Sequence, residues 1–128
     1  MLYLLDTHVI IWLAGVDDRK LSPKSKEIIF DEASRLTVST VSLWEITLKT
    51  HKGKLNLGIS LEELVEKIQQ SNITILSVKL DHILALDKLP FYHNDPFDRL
   101  LISTAIIEEM TFLTADENIQ KYDVPWVW

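Results

Sequence analysis

Leu2 to Leu5 is an unbroken apolar run that stops abruptly at Asp6-Thr7. Runs of this kind suit a strand covered on both faces, as in a parallel sheet. Three later segments have the same β-rich character: Leu36-Thr37-Val38-Ser39, Ile73-Thr74-Ile75-Leu76 and Thr111-Phe112-Leu113-Thr114. Val124 to Trp128 predicts a short last strand at a sheet edge, where Pro125 is tolerated.

Between these runs the apolar positions take helical spacing. Val9 to Leu13 begins a helix or turn packed on the sheet, and Gly15-Val16-Asp17-Asp18 predicts a loop. Ser22-Pro23 fits N-cap then first turn of a helix to about Ser34, with Ile28, Ile29 and Ala33 on its apolar face. The next helix opens at Thr40 or Ser42 and runs to Lys52. Leu43, Trp44 and Leu48 are its expected buried stripe, and Gly53 its stop. Ser60-Leu61-Glu62-Glu63 is a capping box opening a helix to about Ser71, with Leu61, Leu64, Val65 and Ile68 on one face. Lys79 to Lys88 is helical, with Leu80, Ile83, Leu84 and Leu86 apolar, and Leu89-Pro90 ends it. Asp95-Pro96 starts a helix to about Met110 that is apolar nearly all round, and therefore central. Strands alternating with helices predict an α/β domain with a parallel sheet of about four to five strands. In such folds ligands bind outside the carboxyl ends of the strands.

Composition narrows the chemistry. The 128 residues predict one domain, residues 1–128. There is no cysteine, so disulfides, thiolate catalysis and zinc–sulfur sites are excluded. The first residues lack a basic segment and a cleavage site, and no run approaches the ~20 apolar residues of a membrane span. The expected location is cytoplasmic. A net charge of −6 argues against coating nucleic acid by bulk electrostatics. It leaves a nuclease open, because an acidic pocket inflates the negative count.

The acids fall at corresponding ends of the predicted elements. Asp6 follows the first strand, Glu45 lies in the helix after the second, Asp95 and Asp98 open the long helix, and Asp116 follows the fourth strand. Each has an ordinary structural use. Asp6 and Asp116 suit turns. Ser42-x-x-Glu45 is a capping box in its own right, unless the helix starts at Ser39 or Thr40 and places Glu45 deeper. Asp95 and Asp98 suit the N-cap and third position of a helix, each worth roughly 0.3–1 kcal/mol. Jointly they can gather carboxylates at one sheet edge, which needs a cation to be tolerable. Oxygen-loving Mg²⁺ or Mn²⁺ is the natural occupant, and phosphodiester hydrolysis its usual chemistry. Thr7 caps a turn or holds a metal-bound water. Arg99 clamps phosphate or holds an acid by a fork of hydrogen bonds. His93 is a candidate substrate contact, and Lys49 and Lys52 are candidates to track an RNA backbone, alongside the plain alternatives of a loop histidine and a solvated helix end.

Asp6-Thr7-His8, Ser42-Leu43-Trp44-Glu45-Ile46 and His93-Asn94-Asp95-Pro96-Phe97-Asp98-Arg99-Leu100-Leu101-Ile102 together resemble the PIN-domain family, and within it the VapC-type toxins. The resemblance covers essentially the whole chain, and Asp-Pro-Phe-Asp-Arg is its most specific piece. It implies a three-layer α/β/α domain and a Mg²⁺- or Mn²⁺-dependent ribonuclease, often a homodimer and often inhibited by an antitoxin. The family's four acids match Asp6, Glu45, Asp98 and Asp116, with Asp95 as a common extra acid. Ala115 stands where an arginine often precedes the fourth acid. Two other roles stay open at this stage. One is a silent module of the same fold that binds RNA or a partner. The other is phosphotransfer through Asp6, although Asp6-Thr7-His8 lacks the second aspartate of a DxD site.

Overall fold

The structure, a computed structural model, describes residues 1–15 and 17–128; Val16, placed by its sequence in a loop, lies outside the described residues. Five strands form the sheet: β1 (Leu2–Leu5), β2 (Arg35–Ser39), β3 (Ile73–Leu76), β4 (Thr111–Leu113) and β5 (Trp126–Val127). Their order is β3-β2-β1-β4-β5, and every neighbouring pair is parallel. Among the described residues seven α-helices accompany the sheet, α1 (Thr7–Leu13), α2 (Pro23–Phe30), α3 (Thr40–His51), α4 (Leu61–Gln70), α5 (Leu80–Asp87), α6 (Pro96–Ile107) and α7 (Glu117–Gln120), with a 3-10 turn at Asp18–Lys20. Among the described residues no helix is long and apolar enough to cross a membrane.

Alternating side chains of the sheet feed two cores, one on each face. Tyr3, Leu5, Leu36 and Val38 join Val9, Ile10, Ile28, Leu64 and Ile68 beneath α1, α2 and α4. Leu4 and Phe112 join Leu101, Ile102, Ala105 and Ile119 beneath α6 and α7. This is the three-layer α/β/α arrangement. β1 lies in the middle, and the chain crosses to β2 on one side and to β4 on the other. That reversal leaves a crevice beyond the carboxyl end of β1.

Several helices depart from the sequence expectation. α2 stops at Phe30 because Asp31 turns the chain: its Oδ1 accepts from Ala33 N at 2.9 Å, and Ala33 is exposed rather than on the helix face. In α3 the buried residues are Val41, Ser42, Glu45 and Ile46, while Trp44 is 57% exposed and meets the Phe97 ring edge-on at 4.9 Å. The stripe is rotated because Ser39 is the N-cap, its hydroxyl accepting from Val41 N at 3.1 Å. Ser42 is therefore inside the helix, and the Ser42–Glu45 capping box does not form. α5 also reverses its expected face. Leu80 is 70% exposed and Leu84 56%, and the one buried residue is His82. His82 Nδ1 accepts from Lys79 N at 3.1 Å and its other nitrogen faces Glu108 of the α6 terminus, so an imidazole caps and docks the helix.

α6 ends at Ile107, short of Met110, and its last turn leaves Ile106 and Ile107 at the surface. Glu109 takes φ 54°, with Glu109 N bonded to Ile106 O and Met110 N to Ala105 O. This is a Schellman stop built on a residue that carries a Cβ. α3 closes the same way on Gly53, at φ 71°, where no strain arises. Glu109 is exposed. Replacing it by glycine is expected to stabilise the protein by ~0.5–1 kcal/mol, the left-handed penalty less the added chain entropy. Urea unfolding would show this as a higher midpoint at unchanged slope; a lower midpoint would contradict it.

Candidate active site

Parallel pairing brings the carboxyl ends of β2, β1 and β4 side by side. Asp6 is the residue after β1, and its backbone N–H bonds to Leu113 O of β4 at 3.1 Å. It starts α1 without a side-chain cap. Instead its Oδ2 accepts the Thr114 hydroxyl at 2.7 Å. Thr114 Oγ1 in turn accepts from Asp116 N at 3.0 Å, so one buried hydroxyl links the two acids. Thr7 is buried beside Asp6 and donates to Ser42 Oγ of α3 at 2.8 Å, tying α1 to the helix that bears Glu45. Asp95 caps α6 by accepting from Asp98 N at 3.0 Å, and Asp116 caps α7 by accepting from Asn118 N at 2.9 Å.

Electrostatics shows how closely these groups gather. Burial pushes the Asp98 carboxyl up to about 8, and the charges of Asp95, Asp6, Glu45 and Asp116 add to that rise. Burial also raises Asp6; the Thr114 hydroxyl and His8 oppose the rise, and Asp116 and Glu45 add to it. Glu45 is 3% exposed, and its Oε1 is buried with no hydrogen-bond partner. Unshared negative charge of this kind fits a divalent cation. Among the described residues, His93, Asp98 and Asp116 each bring a ligand atom within 4.8 Å of the others. His93 Nε2 lies 3.1 Å from Asp98 Oδ2. His93 joins Asp98 and Asp116 in this cluster, while Asp6 leans on Thr114 and Glu45 on Lys49.

The sequence matches the PIN domain over residues 3–125. The chain belongs to the PIN-domain family. It is 28% identical to Ribonuclease VapC22 of Mycobacterium tuberculosis over 126 residues, 95% of this chain and 92% of that one. Its fold is similar to VapBC2 from Rickettsia felis bound to a promoter DNA fragment, with TM-score 0.72, 17% identity and 99% and 98% of the two chains covered. It is also similar to VapBC-1 from nontypeable Haemophilus influenzae, with TM-score 0.66, 20% identity and 99% and 97% covered. At these identities the two structural likenesses establish the fold.

Two side chains of this PIN domain, Arg99 and Lys49, stand apart from their expected contacts. Arg99 is buried and turned away from the acids. Its guanidinium donates to Pro90 O at 2.8 Å, Leu89 O at 3.1 Å and Tyr122 Oη at 3.0 Å, with the Phe91 ring 3.7 Å from its Cζ. Three of its five N–H donors go to these two carbonyls and one hydroxyl, and among the described residues it forms no ion pair with an acid. Lys49 Nζ lies 2.7 Å from Glu45 Oε2, one turn back on the same helix, rather than over open solvent. Lys52 is exposed at the α3 cap.

Thr114 and Tyr122 carry no site role in the sequence pattern, and Ser42 is read there only as a helix cap and part of a motif. Tyr122 Oη accepts from Tyr92 N at 3.1 Å and His93 N at 3.0 Å, so it sets the loop that presents His93. A polar residue ending an apolar strand two positions before an acid was the available signal for Thr114. Nothing in the local pattern marks Tyr122, since its partners lie about thirty positions back.

Proposed function

We propose that this chain is a divalent-metal-dependent endoribonuclease of the VapC type and the toxin of a toxin–antitoxin pair. The acid pocket carries the reading: the Asp98 carboxyl, raised to about 8 by burial and by the charges of Asp95, Asp6, Glu45 and Asp116, together with a buried, unpartnered Glu45 oxygen. The likeness to a named ribonuclease supports RNA as substrate, and the likeness to VapBC assemblies supports an antitoxin as partner. In this reading residues 1–128 form one domain that works in the cytoplasm as a homodimer.

The catalytic and metal residues are Asp6, Glu45, Asp98 and Asp116, with His93 added by its place beside Asp98 and Asp116. Mg²⁺ or Mn²⁺ is the ion, because the donors are carboxylates and one imidazole with no thiolate. Held there, it would supply Lewis-acid stabilisation of phosphodiester charge and lower the pKa of water. The protein's own part is positional. Thr114 fixes Asp6 against Asp116, Asp95 holds the α6 terminus that aims Asp98, and Thr7 fastens the Glu45 helix through Ser42. One carboxylate also accepts the attacking water's proton; burial raises the basicity of Asp6 and brings that of Asp98 to about 8.

A fluorogenic RNA is expected to be cut in Mn²⁺ or Mg²⁺ and spared in excess EDTA. The ion must displace the Asp98 proton, so apparent metal affinity is expected to climb up to about tenfold per pH unit below pH ~8 and to level off above it. Binding of RNA without cleavage in Mn²⁺ would assign the chain a silent role instead.

A further inference from the structure

Lys49 and Glu45 are four positions apart on α3, with the glutamate N-terminal, the favourable order for a helical ion pair. The contact is 2.7 Å, to Glu45 Oε2. Its two members differ in freedom. The Glu45 side chain is 4% exposed, whereas that of Lys49 is 35% exposed. Lys49 also lies in the last turn of α3, where its own carbonyl accepts from Lys54 N at 2.9 Å across the Gly53 stop. A cation there complements the helix end. Its backbone is pinned while its side chain stays partly exposed. Among the described residues, Lys49 is the one lysine or arginine paired with an acid of the pocket. The other Glu45 oxygen remains buried and unpartnered.

We infer that Lys49 is a resident cation of the pocket: its ammonium occupies Glu45 while the divalent ion is away and competes with that ion for the same carboxylate. The inference rests on the metal site proposed above. It makes Lys49 a positioning residue that weakens and tunes metal affinity, rather than a lysine that follows the RNA backbone. The physical reason is direct. Two cations drawn to one poorly solvated carboxylate repel each other at close range, where water screens them little. The site therefore never carries its full negative charge in the metal-free protein, and metal binding must overcome the ammonium.

The test needs no RNA. Mn²⁺ binding to the full chain is measured by titration calorimetry for the wild type, Lys49→Met, Lys49→Gln and Lys49→Arg. The two neutral variants are expected to bind Mn²⁺ about tenfold more tightly, and the arginine variant to stay within about threefold of wild type. Thermal unfolding gives a second readout. In EDTA the neutral variants are expected to melt lower than wild type, because Glu45 loses its partner. Saturating Mn²⁺ is expected to close that gap. Wild-type or weaker Mn²⁺ affinity in the neutral variants would overturn the inference and leave the metal site standing. Absence of Mn²⁺ binding in every variant would overturn both.

Discussion

Asp98→Asn is expected to cut metal-dependent RNA cleavage by about 10³-fold, several kcal/mol of lost charge stabilisation, while the protein stays folded. The N-cap of α6 survives the change, because Asp95 accepts from the backbone N–H of residue 98 and not from its side chain. What is lost is an oxygen that faces His93 and Asp116. Stability should move the other way. The folded-state pKa of Asp98 is raised from 3.8 to about 8. The protonated acid therefore contributes stability that is fully present below the unfolded value and is lost as pH rises through about 8. Asparagine carries no such loss. In EDTA the variant should melt close to wild type near pH 4 and above it by pH 8 to 9, a gap on the order of a few kcal/mol. Retained cleavage, or a melting temperature below wild type at every pH, would sink the assignment of Asp98.

Arg99→Leu is expected to destabilise the fold by ~3–5 kcal/mol, a large fraction of a typical domain's stability. Leucine keeps apolar bulk but leaves Leu89 O, Pro90 O and Tyr122 Oη without their donor, and removes the cation over Phe91. Denaturant midpoints should fall and the melting temperature should drop by more than ~10 °C. Because Tyr122 also receives Tyr92 N and His93 N, the loss should reach the active site even under folding conditions. A variant within ~1 kcal/mol of wild type would show that the guanidinium does not hold this loop.

The sheet was legible because its strands are nearly pure apolar runs. Leu2–Leu5 and Ile73–Leu76 emerge where the apolar pattern placed them, the run from Thr111 to Thr114 forms its strand over Thr111–Leu113, and the parallel order follows from the helices between them. Helix starts were equally plain where a short polar side chain caps them, as at Ser22, Ser60 and Asp95. Helix faces were less plain. Trp44 was expected inside and lies outside, since Thr7 and Glu45 require the opposite face of α3 to turn inward. α5 buries a histidine and exposes its leucines for a similar reason: a polar partner, Glu108, outranks apolar spacing there. The acids were visible as residues at strand ends. Which neighbour each one leans on was not, because Thr114–Asp6 spans 108 positions and Tyr122–His93 spans 29.

Tyr122 has a bearing on how the molecule is made. Translation delivers Asp6, Glu45, Asp98 and Asp116 before it, and the loop with His93 is fastened only when the Tyr122 hydroxyl arrives. β5, the outermost strand, is synthesised later still. A chain synthesised only as far as Asp116 thus holds all four acids yet lacks the hydroxyl that fastens the His93 loop.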